Sequence, residues 1–249
     1  MRNKPNQKKQ LKTHLVPARH HTSRHARDMS TTVVFVRHGQ SVFNAEHRIQ
    51  GQLDLETPLD ADGVAQVARA APVVARIHGD AVAVYSSDLT RARDTARGIA
   101  DALGVDVSLD ARLRERHLGD LQGLPRADLR ALAPEAFVAW KSGGKIPGGG
   151  ESAAECDARL VEFFKFIASA HGDGEKVIAV THGGVLGRLF ARGANASDKR
   201  LCSMRRGVTN LGECVVHVRQ GGIEWECDYA GWASGRFLEN ADALTADDA

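Results

Sequence analysis

Nine residues, Val33-Val34-Phe35-Val36-Arg37-His38-Gly39-Gln40-Ser41, constrain this chain more than any other stretch. Four consecutive apolar residues, three of them β-branched valines, show no alternation of faces. They predict a short strand covered on both sides, as in a parallel sheet flanked by helices. Open α/β sheets carry their chemistry just past the carboxyl ends of such strands. What this strand delivers there is Arg37-His38-Gly39. A guanidinium is a planar fork suited to phosphate oxygens. An imidazole is a nitrogen nucleophile while neutral, and a neighbouring cation disfavours its protonated form. Gly39 permits a sharp exit and leaves room for a ligand.

The same design recurs along the chain. Residues 81–85 form a second apolar run ending in Ser86-Ser87-Asp88, and residues 176–180 a further one ending in Thr181-His182-Gly183-Gly184. A third, shorter strand is expected at 105–109. Between the first two, Asp60 caps a helix whose apolar stripe is Val64, Val67, Ala68, Ala71, Val74 and Ala75, with Pro72 expected to kink or end it. Ser87 or Asp88 caps a helix over 89–103 that stops at Gly104, with Arg91 in its first turn. Residues 46–54 and 57–59 lack periodicity and form a loop, where Asn44, Gln50 and Gly51 offer amide and backbone groups. Residues 128–141 read as a helix broken at Pro134, and 142–150 as a loop. A long amphipathic helix then runs to about residue 170, with Leu160, Phe163, Phe164 and Ile167 on its core face. A helix follows His182 over 185–191, its free N–H groups favouring an anion. Residues 208–218 and 223–229 suggest a hairpin. Strands alternating with helices point to a three-layer α/β/α sandwich with a mostly parallel sheet.

Four motifs carry a resemblance. Arg37-His38-Gly39-Gln40-Ser41-x-x-Asn44 resembles the opening motif of the histidine phosphatase superfamily, the phosphoglycerate-mutase-like proteins. Ser86-Ser87-Asp88-Leu89-x-Arg91-Ala92-x-x-Thr95-Ala96 resembles the second motif, and Thr181-His182-Gly183-Gly184 the last. Pro147-Gly148-Gly149-Gly150-Glu151-Ser152 resembles a loop of the phosphatase branches, which lack the longer basic insert of the mutases. The likeness spans residues 31–218. It implies that His38 becomes transiently phosphorylated and that Arg37, Arg91 and a protonated His182 surround the phosphoryl group. It implies substrate contacts from Asn44, Gln50, Gly51 and Gly183, and proton transfer by Glu115, whose neighbours Arg114 and Arg116 favour its ionised form. The chemistry calls for such a carboxyl, because the departing alkoxide must be protonated and water then activated. The expectation is a metal-independent phosphatase acting on a small phosphomonoester of the sugar- or glycerate-phosphate kind. A cofactor-dependent mutase is the alternative, since Glu115-Arg116-His117 also resembles the mutases. A non-catalytic regulatory protein on the same fold ranks below it.

Composition bounds the rest. No segment approaches the apolar length of a membrane span. Cys156, Cys202, Cys214 and Cys227 show no paired spacing, which argues against a zinc site or disulfide framework and fits the cytoplasm. No carboxylate cluster suggests Mg²⁺, and no cofactor is expected. The net charge of +2 conceals +7 on residues 1–30 and −5 on the remainder. Residues 1–29 therefore read as a disordered basic extension, 30–232 as the folded domain and 233–249 as an acidic tail. Met29 directly precedes the first strand, which leaves residues 1–28 open as an upstream start, a targeting segment or a tail. A small phosphorylated metabolite is the expected partner, with no nucleic acid and no membrane, and a homodimer is left open.

Overall fold

The computed structural model describes residues 30–53, 57–193, 209–219 and 222–228; the basic extension and the acidic tail lie outside the described residues. Six strands form one sheet: β1 Thr31–Arg37, β2 Ala81–Ser86, β3 Val107–Leu109, β4 Lys176–Thr181, β5 Glu213–Arg219 and β6 Gly222–Asp228. Their order is β3-β2-β4-β1-β5-β6. The β1–β4, β2–β4 and β2–β3 pairings are parallel, and β5 and β6 add antiparallel at one side. The helices are α1 Val42–Ala45, α2 Ala61–Ile77, α3 Thr90–Leu103, α4 Leu129–Leu132, α5 Pro134–Ser142, α6 Ala153–Ala170 and α7 Gly183–Gly193.

The strand expected to be covered on both faces is so covered: Val33, Val34, Phe35 and Val36 are each fully buried. Alternate residues of a strand face opposite ways. Val33 and Phe35 pack against Leu160, Phe163 and Phe164 of α6 and Val185 and Leu189 of α7. Val34 and Val36 pack against Val67, Val73 and Val74 of α2 and Ala96 and Ile99 of α3. The result is the three-layer α/β/α sandwich. Phe35 meets Phe163 and Phe164 edge-on at 6.1 and 5.8 Å, the geometry aromatic quadrupoles favour. A third apolar cluster, Ile49, Leu118, Leu121, Leu129 and Ile146 with Trp140 against it, is built from loops, α4 and α5.

Several local expectations are corrected. Helix α2 runs straight through Pro72. Pro72 and Ala68, whose carbonyl loses its partner, are both on the exposed side, where water can replace the missing N–H. The buried stripe of α2 is Val67, Ala70, Ala71, Val73 and Val74, while Val64 is 58% exposed. Gly63 docks so tightly on the Gln40 backbone that a Cβ would overlap the Gln40 carbonyl, and this turns Val64 outward. Neither Ser87 nor Asp88 caps α3; the N-cap position is Leu89, which has no side-chain cap. Strand β3 starts at Val107 because the N–H of Val105 is spent closing α3, on the carbonyl of Ala100, around the left-handed Gly104 at φ 70°. Helix α7 begins at Gly183, two residues early, and β5 begins at Glu213. Asp60 does cap α2, accepting the N–H of Gly63 at 2.7 Å, and Pro134 opens α5. Ser152 caps α6 through a reciprocal pair of bonds with Glu155.

Candidate active site

The sheet register brings the polar strand ends together. Arg37 lies opposite Thr181 on the parallel neighbours β1 and β4, and Ser86 lies opposite Val180 on β2 and β4. One residue further on, His38, His182 and Ser87 leave the sheet side by side, tied by His38 N–H to the Thr181 carbonyl at 3.0 Å and Ser87 N–H to the Val180 carbonyl at 3.0 Å. The two imidazole centroids are 5.1 Å apart, with the rings inclined at 59°.

His38 is held in one tautomer. Its Nδ1 lies 2.7 Å from the carbonyl oxygen of Gly39. A carbonyl can only accept, so Nδ1 carries the hydrogen and Nε2 keeps its lone pair. Burial first, then Arg91 and Arg37, holds the pKa of His38 well below the usual imidazole value, so the ring is neutral at neutral pH. Its surroundings are fixed as well. Gly39 N–H donates to Thr95 Oγ1 at 3.0 Å, Thr95 donates to the Arg91 carbonyl at 2.8 Å, and Asn210 Nδ2 donates to the His38 carbonyl at 2.9 Å.

His182 is fully buried, and burial, then Arg91 and His38, hold its pKa well below the ordinary value, which favours the neutral ring. Nε2 sits 2.8 Å from Ser87 Oγ, whereas Nδ1 is buried with no hydrogen-bond partner among the described residues. Ser87 also accepts the N–H of Leu89 at 3.3 Å.

The arginines divide the work. Arg91 is completely buried, and its terminal nitrogens donate to the Gly51 carbonyl at 2.7 Å, the Leu53 carbonyl at 3.0 Å and Thr57 Oγ1 at 2.8 Å. It thus anchors the loop after Gln50 while its charge acts on both histidines. Arg37 lines the cavity itself; burial lowers its pKa to about 10, opposed by Glu115, so it remains charged at neutral pH. Gln50 is also engaged, donating to Ser41 Oγ. The amide oxygen of Asn44 accepts from Ser41 N–H and Asn210 Nδ2, each at 3.3 Å, which leaves its NH₂ as the end available to a ligand.

Glu115 lines the same cavity as His38. Its Oε1 accepts the N–H of Arg116 at 2.7 Å and its Oε2 the N–H of Gly184 at 2.8 Å. One amide of the α7 start, expected to face an external anion, is therefore taken by a carboxylate of this chain. The neighbouring arginines direct their hydrogen bonds elsewhere. Arg114 pairs in two places with Asp88, and Arg116 donates to the Glu151 and Gly144 carbonyls at 2.8 and 2.7 Å.

These groups surround a cavity of about 560 Å³. Arg37, His38, Asn44, Gln50, Gly51, Glu115 and Gly183 line it, and Arg91 and His182 are fully buried. Its outer part was not foreseen as a site: Phe43, Ile49, Leu118 and Trp140 give an apolar wall, and Arg48, Arg126 and Arg188 a basic one. Trp140 and Arg126 follow the broken-helix and loop signals that carry no chemistry in sequence, and only the packing of α5 over Ile49 and Leu118 brings Trp140 to the cavity. Among the described residues no group of three or more His, Cys, Asp or Glu side chains could hold a metal ion.

The model of the histidine phosphatase superfamily (branch 1) matches residues 33–228. The chain is 42% identical over 193 residues to a metal-independent phosphoserine phosphatase of Arabidopsis thaliana, covering 76% of this chain and 77% of the relative. It is 42% identical over 171 residues to phosphoglycerate mutase-like protein 4 of the same plant, covering 67% and 73%. Among solved structures, a mycobacterial glucosyl-3-phosphoglycerate phosphatase in complex with VO₃ superposes with a TM-score of 0.66 at 33% identity, covering 79% of this chain and 96% of that one.

Proposed function

The chain belongs to the histidine phosphatase superfamily, branch 1, and from that premise we propose that it hydrolyses a small phosphomonoester through a phosphohistidine on His38. The observation that carries the proposal is the bond from His38 Nδ1 to the Gly39 carbonyl, which leaves a neutral ring with its Nε2 lone pair available. In the first half-reaction Nε2 attacks phosphorus and the P–O bond to the alcohol breaks. Glu115, protonated, gives its proton to the departing oxygen. In the second half, Glu115 takes a proton from water, the hydroxide oxygen bonds to phosphorus, the P–N bond breaks and inorganic phosphate leaves. General acid–base help of this kind is worth about 10²- to 10⁴-fold. Arg37, with Arg91 and a hydrogen bond from His182, balances charge on the phosphoryl oxygens, where fixed donors act most strongly. Asn44, Gln50, Gly51 and Gly183 position the substrate.

The substrate is a small polar molecule of the sugar- or glycerate-phosphate kind, and the leaving group is its sugar or glycerate alcohol. The apolar face of Trp140 and Leu118 beside Arg48 and Arg126 suits a carbon skeleton that bears hydroxyl or carboxylate groups. Relatives named for phosphoserine and glucosyl-3-phosphoglycerate phosphatases support the same class. We take the cytoplasm as its compartment, which the free thiol of Cys156 fits; no helix among the described residues is long and apolar enough to cross a membrane.

The test is phosphate release from a panel including phosphoserine and glucosyl-3-phosphoglycerate, wild type against His38→Ala. We expect release by the wild type and a loss of about 10³-fold or more in the variant; equal rates would place the activity elsewhere. Relatives with mutase-like names keep one second reading in view. Incubation with 3-phosphoglycerate and catalytic 2,3-bisphosphoglycerate decides it, because isomerisation without phosphate release belongs to a mutase.

A further inference from the structure

We infer that Arg159 and Glu151 form a clamp that positions Glu115, and that the clamp sets the efficiency of proton transfer. The inference rests on the reading of Glu115 as the proton donor. The segment from Arg114 to Leu118 has no regular secondary structure, so its buried backbone groups must find other partners. Gln52 donates to the Glu115 carbonyl at 2.9 Å and Gln122 accepts the Leu118 N–H at 3.2 Å, but the ties on both sides of Glu115 come from two side chains elsewhere. Arg159, on α6, donates through Nη1 to the Arg112 carbonyl at 2.7 Å and through Nη2 to the Glu115 carbonyl at 3.1 Å. The same guanidinium engages both oxygens of Glu151, at 3.0 and 3.1 Å. Glu151 in turn accepts the N–H of His117 at 2.9 Å, and its own N–H donates to the His117 carbonyl at 2.8 Å. The chain on both sides of Glu115 is thereby gripped at residues 112, 115 and 117 by one mostly buried ion pair.

The geometry demands arginine. A planar fork can span two carbonyls and a carboxylate together, whereas an ammonium is a point charge that cannot. The clamp touches the backbone of the acid segment and leaves the Glu115 carboxylate to its own bonds with Arg116 and Gly184. Arg159 and Glu151 are therefore positioning residues. They also give the loop from Pro147 to Ser152 a purpose, since that loop delivers Glu151 to the site. A shift of about 1 Å in a catalytic group can cost about 10²-fold.

The experiment compares kcat/KM for two substrates, an alkyl phosphate (phosphoserine) and 2,4-dinitrophenyl phosphate. This quantity counts only steps through phosphoryl transfer to His38, and the dinitrophenolate departs without needing a proton. Glu115→Gln sets the scale. Arg159→Lys keeps the charge near His182 and should lose about tenfold or more on the alkyl phosphate but less than about threefold on the aryl one. Glu151→Gln should show the same asymmetry and decides the matter if Arg159→Lys proves unfolded by thermal denaturation. An asymmetry in Glu115→Gln with equal losses, or none, in the clamp variants overturns the clamp alone. Equal losses in Glu115→Gln itself overturn the reading of Glu115, and the clamp with it.

Discussion

Gly184 gives its backbone N–H to Oε2 of Glu115 at 2.8 Å, so the start of α7 and the acid segment are joined at the wall of the cavity that His38 lines. The contact is so close that a Cβ on residue 184 would overlap the Glu115 carboxylate. The position is exposed and helical, where alanine favours the helix over glycine. Gly184→Ala should therefore displace the carboxylate and leave the fold intact. We expect kcat/KM to fall about 100-fold with an unchanged or raised unfolding temperature. Steady-state phosphate release and thermal denaturation measure the two, and full activity would show that this placement of Glu115 is dispensable.

Ser87 governs His182 in a similar way. With Leu89 N–H donating into its oxygen, the Ser87 hydroxyl can give its hydrogen to Nε2, which puts the ring hydrogen on the buried, unpartnered Nδ1. A phosphoryl oxygen would accept that hydrogen. Ser87→Ala removes the partner and lets the other tautomer form. A net hydrogen bond is worth about 1 kcal/mol, so kcat/KM should drop roughly fivefold, with Ser87→Thr recovering part of it. Nitrogen NMR of His182 in the variant should report the exchanged tautomer; an unaltered spectrum would mean that Ser87 does not select it.

Sequence made the centre of the molecule legible because its signals are local. An unbroken valine-rich run states that β1 is covered on both faces, and strand-then-histidine at both 38 and 182 states that the two rings emerge at one edge of the sheet. What escaped was decided by burial or by contacts distant in sequence. The full burial of His182 beside Arg91, which favours its neutral form, has no local signal in the sequence. Arg114 and Arg116 flank Glu115 in sequence, yet Asp88 and two carbonyls claim them. Val64 fits a helical stripe, and the tight seat of Gly63 on Gln40 turns it to solvent.

Arg91 should affect stability as well as catalysis. Its substitution takes the guanidinium donor from the buried Gly51 carbonyl and one of two donors from the Leu53 carbonyl, which Thr57 Oγ1 still serves at 2.7 Å. Each buried polar group left unmatched costs about 1–3 kcal/mol. Arg91→Ala should cost about 1–3 kcal/mol in denaturant unfolding and remove measurable turnover, since the loop bearing Gln50 and Gly51 loses its anchor. Native-like stability in this variant would show that the loop holds its place without the guanidinium.

The two buried histidines make both stability and rate depend on pH in a defined direction. His38 and His182 have folded pKa values well below the unfolded value of about 6.5. Below about pH 6.5 the unfolded chain binds protons that the folded protein refuses, so stability is complete above that pH and falls as pH drops. While pH lies between the two values, the slope is about 1.4 kcal/mol per pH unit for each ring. Denaturant unfolding at pH 7, 6 and 5 should show this decline, and a His38→Gln/His182→Gln double variant should show much less of it. The same shift governs turnover. The attacking ring stays neutral well below pH 6.5, so the acid limb of kcat/KM that belongs to His38 should lie far to the acid side of an exposed imidazole. A limb centred near 6.5 that disappears in no other variant than His38 would mean that the ring is solvated before attack, against the burial seen here.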